Sequence, residues 1–313
     1  MNRQSQNSFS FHIPVMVEQV CCSLKINQAH SAIDATLGDG SYSLNFLQRM
    51  PNDGRVVGLD LDPDAIERAG RRLTAFGERF QAVRENFRNV DLVAHQFGFD
   101  RVDAVAADLG VSTLQLSDPQ KGFTFSKSGP LSMRMDSGNE LTAAQVVNTY
   151  SEDKLRQIFF EYGEERASRR IARAIVLARK KRNIETTADL ADIVRGVVRQ
   201  HTVKSLARIF QAIRIFLNDE LQNLRVFLDK SFEVLRPEGR LAVVSYHSLE
   251  DRIVKRFFQN GADPCICSRE IPVCVCGKKP ILKIIDRGST PSEEELERNR
   301  KSRSSRLRVA EKL

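Results

Sequence analysis

No stretch of the 313 residues stays apolar for anything near the ~20 residues that cross a bilayer. The opening residues, Met1–Ser10, are polar and lack the apolar core of a secretion signal. A cytoplasmic protein with no membrane partner is therefore expected. Internal repeats are also missing, and only two short segments are compositionally biased: a cysteine-bearing loop and an arginine- and serine-rich stretch near the C-terminus. Apolar residues at 41% and charged residues at 28% leave an ordinary globular composition, with room for one large or two smaller domains.

Another absence bears on the ligand. The apolar run Ala32–Leu37 reads as a strand that ends in a Gly-x-Gly turn, Gly38-Asp39-Gly40, before a helix-compatible run from Ser43 to Gln48. Strand, glycine turn and helix start form a cradle in which backbone approaches a ligand and free N–H groups face it. A second strand, Arg55–Leu59, ends in Asp60, placed to accept hydrogen bonds from both ribose hydroxyls of a nucleoside-bearing cofactor. The dinucleotide fingerprint would continue to a third glycine, which packs the helix closely under a pyrophosphate. That position holds Ser43, so no diphosphate has to be held, and S-adenosylmethionine is favoured over NAD.

Two further strands follow. Phe80–Val83 ends near Phe87, which either lies against an adenine ring or packs in the core. Val102–Ala107 runs into Asp108. Strands alternating with helices imply a parallel sheet whose ligands sit at the carboxyl ends of its strands. Gly38, Asp60, Phe87 and Asp108 each fall just past such an end, and their convergence says more than any one of them.

The rhythm breaks at Ser117–Gly138, a Gly-, Pro-, Ser- and Asp-rich segment that reads as a long ordered loop. Helical patterns fill Leu141 to Arg199, and one long helix is expected from Ser205 to Leu235, stopped by Arg236-Pro237-Glu238-Gly239. A fifth strand, Arg240–Tyr246, leads to His247, and Ile281–Ile285 with Arg306–Ala310 give an antiparallel end to the sheet. The fold class is thus α/β, mostly parallel, with an inserted all-helical domain. We place the core at residues 1–115 and 205–313 and the insertion, for substrate recognition, at 116–204.

The charge is +8 (48 basic less 40 acidic residues), and its clustering matters more than its sum. Arg166, Arg169, Arg170 and Arg173 share one segment with Arg179 and Arg182, while Arg298, Arg300, Arg303, Arg306 and Arg308 share another. Each cluster is either a solvated face or a grip on a polyanion, and two of them on a cofactor-binding chain tilt the reading toward the latter. Cys265, Cys267, Cys274 and Cys276 form two Cys-x-Cys pairs. They are either four thiolates of a structural zinc site or small reduced cysteines in a loop.

Longer motifs then carry a resemblance: His12-Ile13-Pro14-Val15, Asp108-Leu109-Gly110-Val111-Ser112, Gly122-Phe123-Thr124-Phe125, Gly129-Pro130-Leu131-Ser132-Met133-Arg134-Met135-Asp136, Tyr162-Gly163-Glu164-Glu165, Phe210-Gln211-Ala212-Ile213-Arg214 and Ser245-Tyr246-His247-Ser248-Leu249-Glu250-Asp251-Arg252. In this order, and over almost the whole length, the chain resembles the bacterial 16S ribosomal RNA cytosine-N4 methyltransferases of the RsmH or MraW type. The resemblance implies a class I methyltransferase fold and S-adenosylmethionine as donor. It further implies methylation of a cytosine N4 amine in the decoding region of the small ribosomal subunit. It maps the cofactor contacts onto Gly40, Ser41, Tyr42, Asp60, Phe87, Asp108 and Gln115. Where the family commonly has Gly-Gly-His in the turn, this chain has Gly40-Ser41-Tyr42.

For the chemistry, Asp108 is the candidate acceptor on the cofactor and amine side, with Ser112, His247 and Asp136 as further candidates near the base. His247 serves equally as a cap for the helix after it. Phe123 and Phe125 either stack on an unstacked base or pack the loop on the core. The arginines at 166, 169, 170, 173, 208, 303 and 306 are the expected RNA contacts. A homodimer is left open. The competing readings are an NAD-dependent oxidoreductase, a non-catalytic RNA-binding factor that keeps the fold, and a methyltransferase acting on DNA or protein.

Overall fold

The computed structural model describes residues 14–136, 138–267 and 275–313. In chain order the elements are α1 (Val17–Ser23), β1 (Ser31–Asp34), α2 (Ser41–Arg49), β2 (Arg55–Asp60), α3 (Pro63–Leu73), β3 (Phe80–Arg84), α4 (Val90–Gln96), β4 (Val102–Asp108), α5 (Thr113–Ser117), α6 (Ala143–Thr149), α7 (Glu152–Glu161), α8 (Ser168–Arg179), α9 (Thr187–Val197), α10 (Thr202–Leu217), α11 (Glu220–Val234), β5 (Leu235–Ser245), α12 (Ser248–Ala262), β6 (Leu282–Ser289), α13 (Glu293–Arg298) and β7 (Arg306–Lys312). No helix among the described residues is long and apolar enough to cross a membrane.

The chain divides into two compact units. One takes the described residues up to Leu109, then Lys230–His247 and those from Val254 onward; the other takes Gly110–Asp229 with Ser248–Ile253. The first holds a seven-stranded sheet in the order β3-β2-β1-β4-β5-β7-β6. Pairing is parallel from β3 through β5, and antiparallel where β7 meets β5 and β6. The apolar strands are buried in that order's middle: Ala32, Ile33, Val56, Val57, Ala104 and Val105 are almost wholly covered. Strand order reverses between β1, which pairs with β2, and β4, so ligand-bearing loops gather at the carboxyl ends there. This is the class I methyltransferase fold, with a helical insertion after β4.

In the second unit the described residues form helices joined by loops, and the strand-like pairing is a single bridge from Pro130 to Thr186. Local chemistry sets the helix starts: Thr142 with Gln145, and Thr186 with Asp189, make reciprocal capping boxes. Its core takes Ile158, Phe159, Ile171, Ile175, Leu190, Val194, Ile209 and Ile213. The long loop contributes Phe123, Leu131 and Met133 to the same core, and Phe125 meets Phe210 edge-on at 5.4 Å. Phe123 is therefore packing, not a platform for a base.

The single helix expected over Ser205–Leu235 is two, α10 and α11, broken at Asn218-Asp219. Asp219 is left-handed at φ 50°. Asn218 turns inward instead of continuing the helix: its amide donates to the Met133 carbonyl at 3.0 Å and accepts from the Met135 N–H at 2.9 Å. The break thus fastens the long loop. Arg236–Gly239 do not precede β5 but bulge out of it, since Val102 pairs with Leu235 while Ala104 pairs with Arg240.

Candidate functional site

The glycine turn and the helix after it are fastened to the ends of β2 and β1. Gly38 donates its N–H to Asp60 Oδ2 at 2.8 Å, and the other oxygen accepts the Asp62 N–H at 2.9 Å. Burial pushes the Asp60 carboxyl above its usual range, against the pull of those two bonds. Each oxygen still has a lone pair beyond the bond to its N–H, as a ribose diol requires. Asp34, at the end of β1, is buried and accepts from both the N–H and the hydroxyl of Ser43, at 3.1 and 2.7 Å. Burial raises its carboxyl to about 6.

The two glycines do different work. Gly38 has φ 53°, and a Cβ there would meet nothing within 4 Å, which is the open cradle a nucleoside needs. Gly40, at φ 78°, is filled: a Cβ would stand 2.9 Å from Leu73 Cδ1 and 3.2 Å from Ala69 Cβ. It sits against α3 and sets the start of α2.

Ser41 and Tyr42 follow the turn, but their side chains face protein. The Ser41 hydroxyl donates to Asp39 Oδ1 at 2.6 Å and accepts from Arg72 at 2.8 Å. The Tyr42 hydroxyl donates to the Val15 carbonyl, and its ring meets Phe46 edge-on at 6.0 Å. Burial first, then the Asp108 and Asp34 carboxylates, push its phenol well above the usual value. Any cofactor contact at Tyr42 is therefore a backbone contact. Phe87 is half-buried in a short turn after β3, where Asn86 accepts from the Arg88 N–H at 3.0 Å.

Asp108 ends β4 and is held twice. Its N–H donates to Thr36 Oγ1 at 2.7 Å, and its Oδ1 accepts the Tyr246 hydroxyl at 2.7 Å. His247 follows Tyr246, half-buried in the same unit. Gly38, Gly40, Ser41, Tyr42, Asp60, Phe87, Asp108 and His247 thus all belong to the sheet unit. Thr36, Ser43 and Tyr246 received no role from the sequence, although each lies within two or three residues of a marked position.

Ser112, Gln115 and Asp136 belong to the helical unit. The Ser112 hydroxyl accepts the Gln115 N–H at 3.1 Å and Gln115 Oε1 accepts the Ser112 N–H at 3.0 Å, a reciprocal cap on α5. The Ser-x-x-Gln spacing signals such a cap, so local structure accounts for both residues. Asp136 accepts the Gly138 N–H at 2.9 Å.

The arginines separate by surroundings. Arg166, just before α8, is exposed, and so are Arg169, Arg170 and Arg173 on the helix, opposite its buried Ile171, Ala172 and Ile175. Arg179 instead donates to the Val147 and Tyr150 carbonyls at 2.8 and 2.7 Å, and Arg182 pairs with Asp189. Arg208 lies 3.8 Å from buried Glu165 while half its own side chain stays exposed. In the sheet unit Arg303 and Arg306 are exposed, whereas Arg308 is buried and donates to the Arg287 carbonyl. The sulfur atoms of Cys265, Cys267 and Cys276 come within 4.8 Å of one another; Cys274, like His12, lies outside the described residues.

The sequence pattern of the MraW methylase family matches residues 9–313. A protein of Carboxydothermus hydrogenoformans named ribosomal RNA small subunit methyltransferase H is 50% identical over 309 residues, covering 96% of this chain and 98% of that one. Its namesake in Fusobacterium nucleatum is 42% identical over 305 residues, covering 97% of each.

Proposed function

Because the chain belongs to the MraW methylase family, we propose that it methylates the N4 amine of a cytosine in the decoding region of small-subunit ribosomal RNA, with S-adenosylmethionine as donor. The observation that carries the reading is the family match over residues 9–313 together with the strand-end arrangement of Gly38, Asp60 and Asp108. When bound, the donor supplies an electrophilic methyl group on a sulfonium. Gly38 gives the nucleoside close approach, and Asp60 accepts from its ribose hydroxyls.

The chemical difficulty lies with the acceptor. The cytosine amine shares its lone pair with the ring and attacks poorly. Asp108 would accept a hydrogen bond from that amine, drawing electron density onto nitrogen, and take its proton as the N–C bond forms and the sulfonium S–C bond breaks to leave a neutral thioether. Tyr246 holds the carboxylate through Oδ1, and Thr36 holds the backbone of Asp108 through its N–H. Holding the amine in line with the methyl group is worth up to roughly 7–11 kcal/mol of barrier. The proline-flanked motif that other amino-methyltransferases place at this strand end is absent, since Leu109-Gly110 follows Asp108. Asp108 therefore has to be fixed by side chains from the ends of β1 and β5 rather than by a rigid turn.

The exposed arginines of the helical unit, Arg166, Arg169, Arg170, Arg173 and Arg208, bind phosphates without reading sequence, as do Arg303 and Arg306. The protein acts in the cytoplasm on the small subunit. The test is transfer of labelled methyl from S-adenosylmethionine to small subunits lacking the modification, followed by nucleoside analysis. Label in N4-methylcytidine supports the reading; label in another nucleoside, or none despite calorimetric binding of the donor, overturns it.

A further inference from the structure

We propose that Cys265, Cys267 and Cys276, which lie between α12 and β6 in the chain, hold a zinc ion. Their sulfurs lie within 4.8 Å of one another, and the Cys276 and Cys265 sulfurs are 3.9 Å apart. A disulfide needs about 2.05 Å. Tetrahedral zinc with bonds of about 2.3 Å puts neighbouring sulfurs about 3.8 Å apart, the edge of the coordination tetrahedron. The Cys265–Cys276 spacing is that of co-ligands and not of a covalent pair, and Cys267 lies close enough to join them. In addition, the Val275 N–H donates to Cys267 Sγ at 3.4 Å, an outer hydrogen bond of the kind that orients a metal ligand.

From Asp263 to Ile281 the described residues form no helix or strand, and the apolar side chains Ile266 and Val275 are 71% and 75% exposed. None of the three cysteines is buried, so burial does not account for their meeting; a bound metal can, because its binding free energy becomes folding free energy. An all-sulfur donor set selects a soft or borderline ion and disfavours magnesium or calcium. In a reducing compartment this pattern takes metal in preference to a disulfide. Three ligands leave one tetrahedral position for water or a further donor. Cys21 shows the contrast: burial raises its thiol to about 12, the mark of an inert packed cysteine.

The proposal is independent of the catalytic reading, and its test needs no turnover. The full-length chain, expressed with zinc and purified under reductant, is analysed for metal by mass spectrometry. Metal-stripped protein is then titrated with cobalt. The expected result is about one zinc per chain and a thiolate-to-cobalt charge-transfer band with tetrahedral d–d intensity. Both should be lost in the Cys265→Ser/Cys267→Ser variant and kept in Cys22→Ser. Circular dichroism checks that the double variant still folds. Wild-type protein with neither zinc nor a cobalt charge-transfer band overturns the proposal. So does zinc retained in full by the double variant, or a Cys265–Cys276 disulfide found in cells after rapid thiol trapping.

Discussion

The Tyr246 hydroxyl donates to Asp108 Oδ1 at 2.7 Å, joining the ends of neighbouring parallel strands β5 and β4. Asp108 is the proposed acceptor for the amine, so this bond fixes where the reaction's charge is received. Tyr246→Phe should lower kcat about 10-fold, the effect of losing one hydrogen bond to a charged group at roughly 1.5 kcal/mol, while donor affinity stays put. Asp108→Asn should cost more, on the order of 10²–10⁴-fold. Single-turnover methylation of small subunits by both variants is the check, and wild-type rates in both would remove Asp108 from the chemistry.

The two turn glycines should fail differently. Gly40→Ala sets a methyl 2.9 Å from Leu73 Cδ1 at φ 78°, so it should lose roughly 2–4 kcal/mol from clash and left-handed strain together. Gly38→Ala carries only the left-handed cost of roughly 1–2 kcal/mol, because its Cβ meets no protein atom. Its larger loss should be in donor affinity, as the methyl enters the open cradle. Denaturant unfolding beside calorimetry separates them; equal stability losses with equal donor binding would contradict the division.

Asp34 gives a pH signature. Its carboxyl is raised from 3.8 to about 6 in the folded chain, so between those values the folded state binds more proton than the unfolded. The contribution of a neutral Asp34 is therefore fully present below about pH 4 and is lost as pH rises through about 6. At about 1.4 kcal/mol per pH unit the swing is on the order of 3 kcal/mol. Asp103 and Glu311, whose carboxyls are lowered by their arginine partners and hydrogen bonds despite burial, run the opposite way and lose their contribution on acidification. The difference between wild type and Asp34→Asn isolates the one group: the variant should gain on wild type from pH 4 to 6. A difference that stays flat across that window would mean Asp34 is ionised when folded.

Arginines on one helix should act on different measurements. Neutralising Arg169, Arg170 and Arg173 should weaken RNA binding and reduce the salt slope by roughly 0.7–0.9 for each phosphate left without its cation, with stability unchanged. Arg179→Met should do the reverse, since that guanidinium caps the carbonyls of Val147 and Tyr150 at the end of α6. Leaving two carbonyls short of a donor should cost roughly 1–3 kcal/mol each and leave the salt slope alone. Salt-dependent binding and thermal unfolding of the two variants would show whether α8 divides this way.

How far the sequence could be read depends on how local the signal is. Strand ends were visible, because apolar runs such as Val102–Ala107 stop abruptly at a carboxylate, and parallel strands have to bury both faces. The break between α10 and α11 was hidden, because no glycine or proline marks it; Asn218 leaves the helix to bond the carbonyl of a residue 85 positions away. Ser112 and Gln115 show the converse difficulty. Their spacing spells a helix cap, yet the same letters stand in a motif with a family role, and only coordinates show the two side chains bonded to each other's backbone. Tyr42 is legible in neither way, since whether an aromatic side chain beside a glycine turn faces ligand or core depends on the Val15 carbonyl that receives its hydroxyl.

The inner position of β7 has a consequence for how the protein is made. It is the last of the seven strands in chain order, yet it lies between β5 and β6. During synthesis β5 emerges with a bare hydrogen-bonding edge and keeps it for some sixty residues, until Arg306–Lys312 arrives to cover it. The nascent chain must therefore pass through an interval in which its sheet is open to foreign strands. Chains stalled on the ribosome before Arg306 should be cut by protease within the sheet unit, and those stalled well after it should resist.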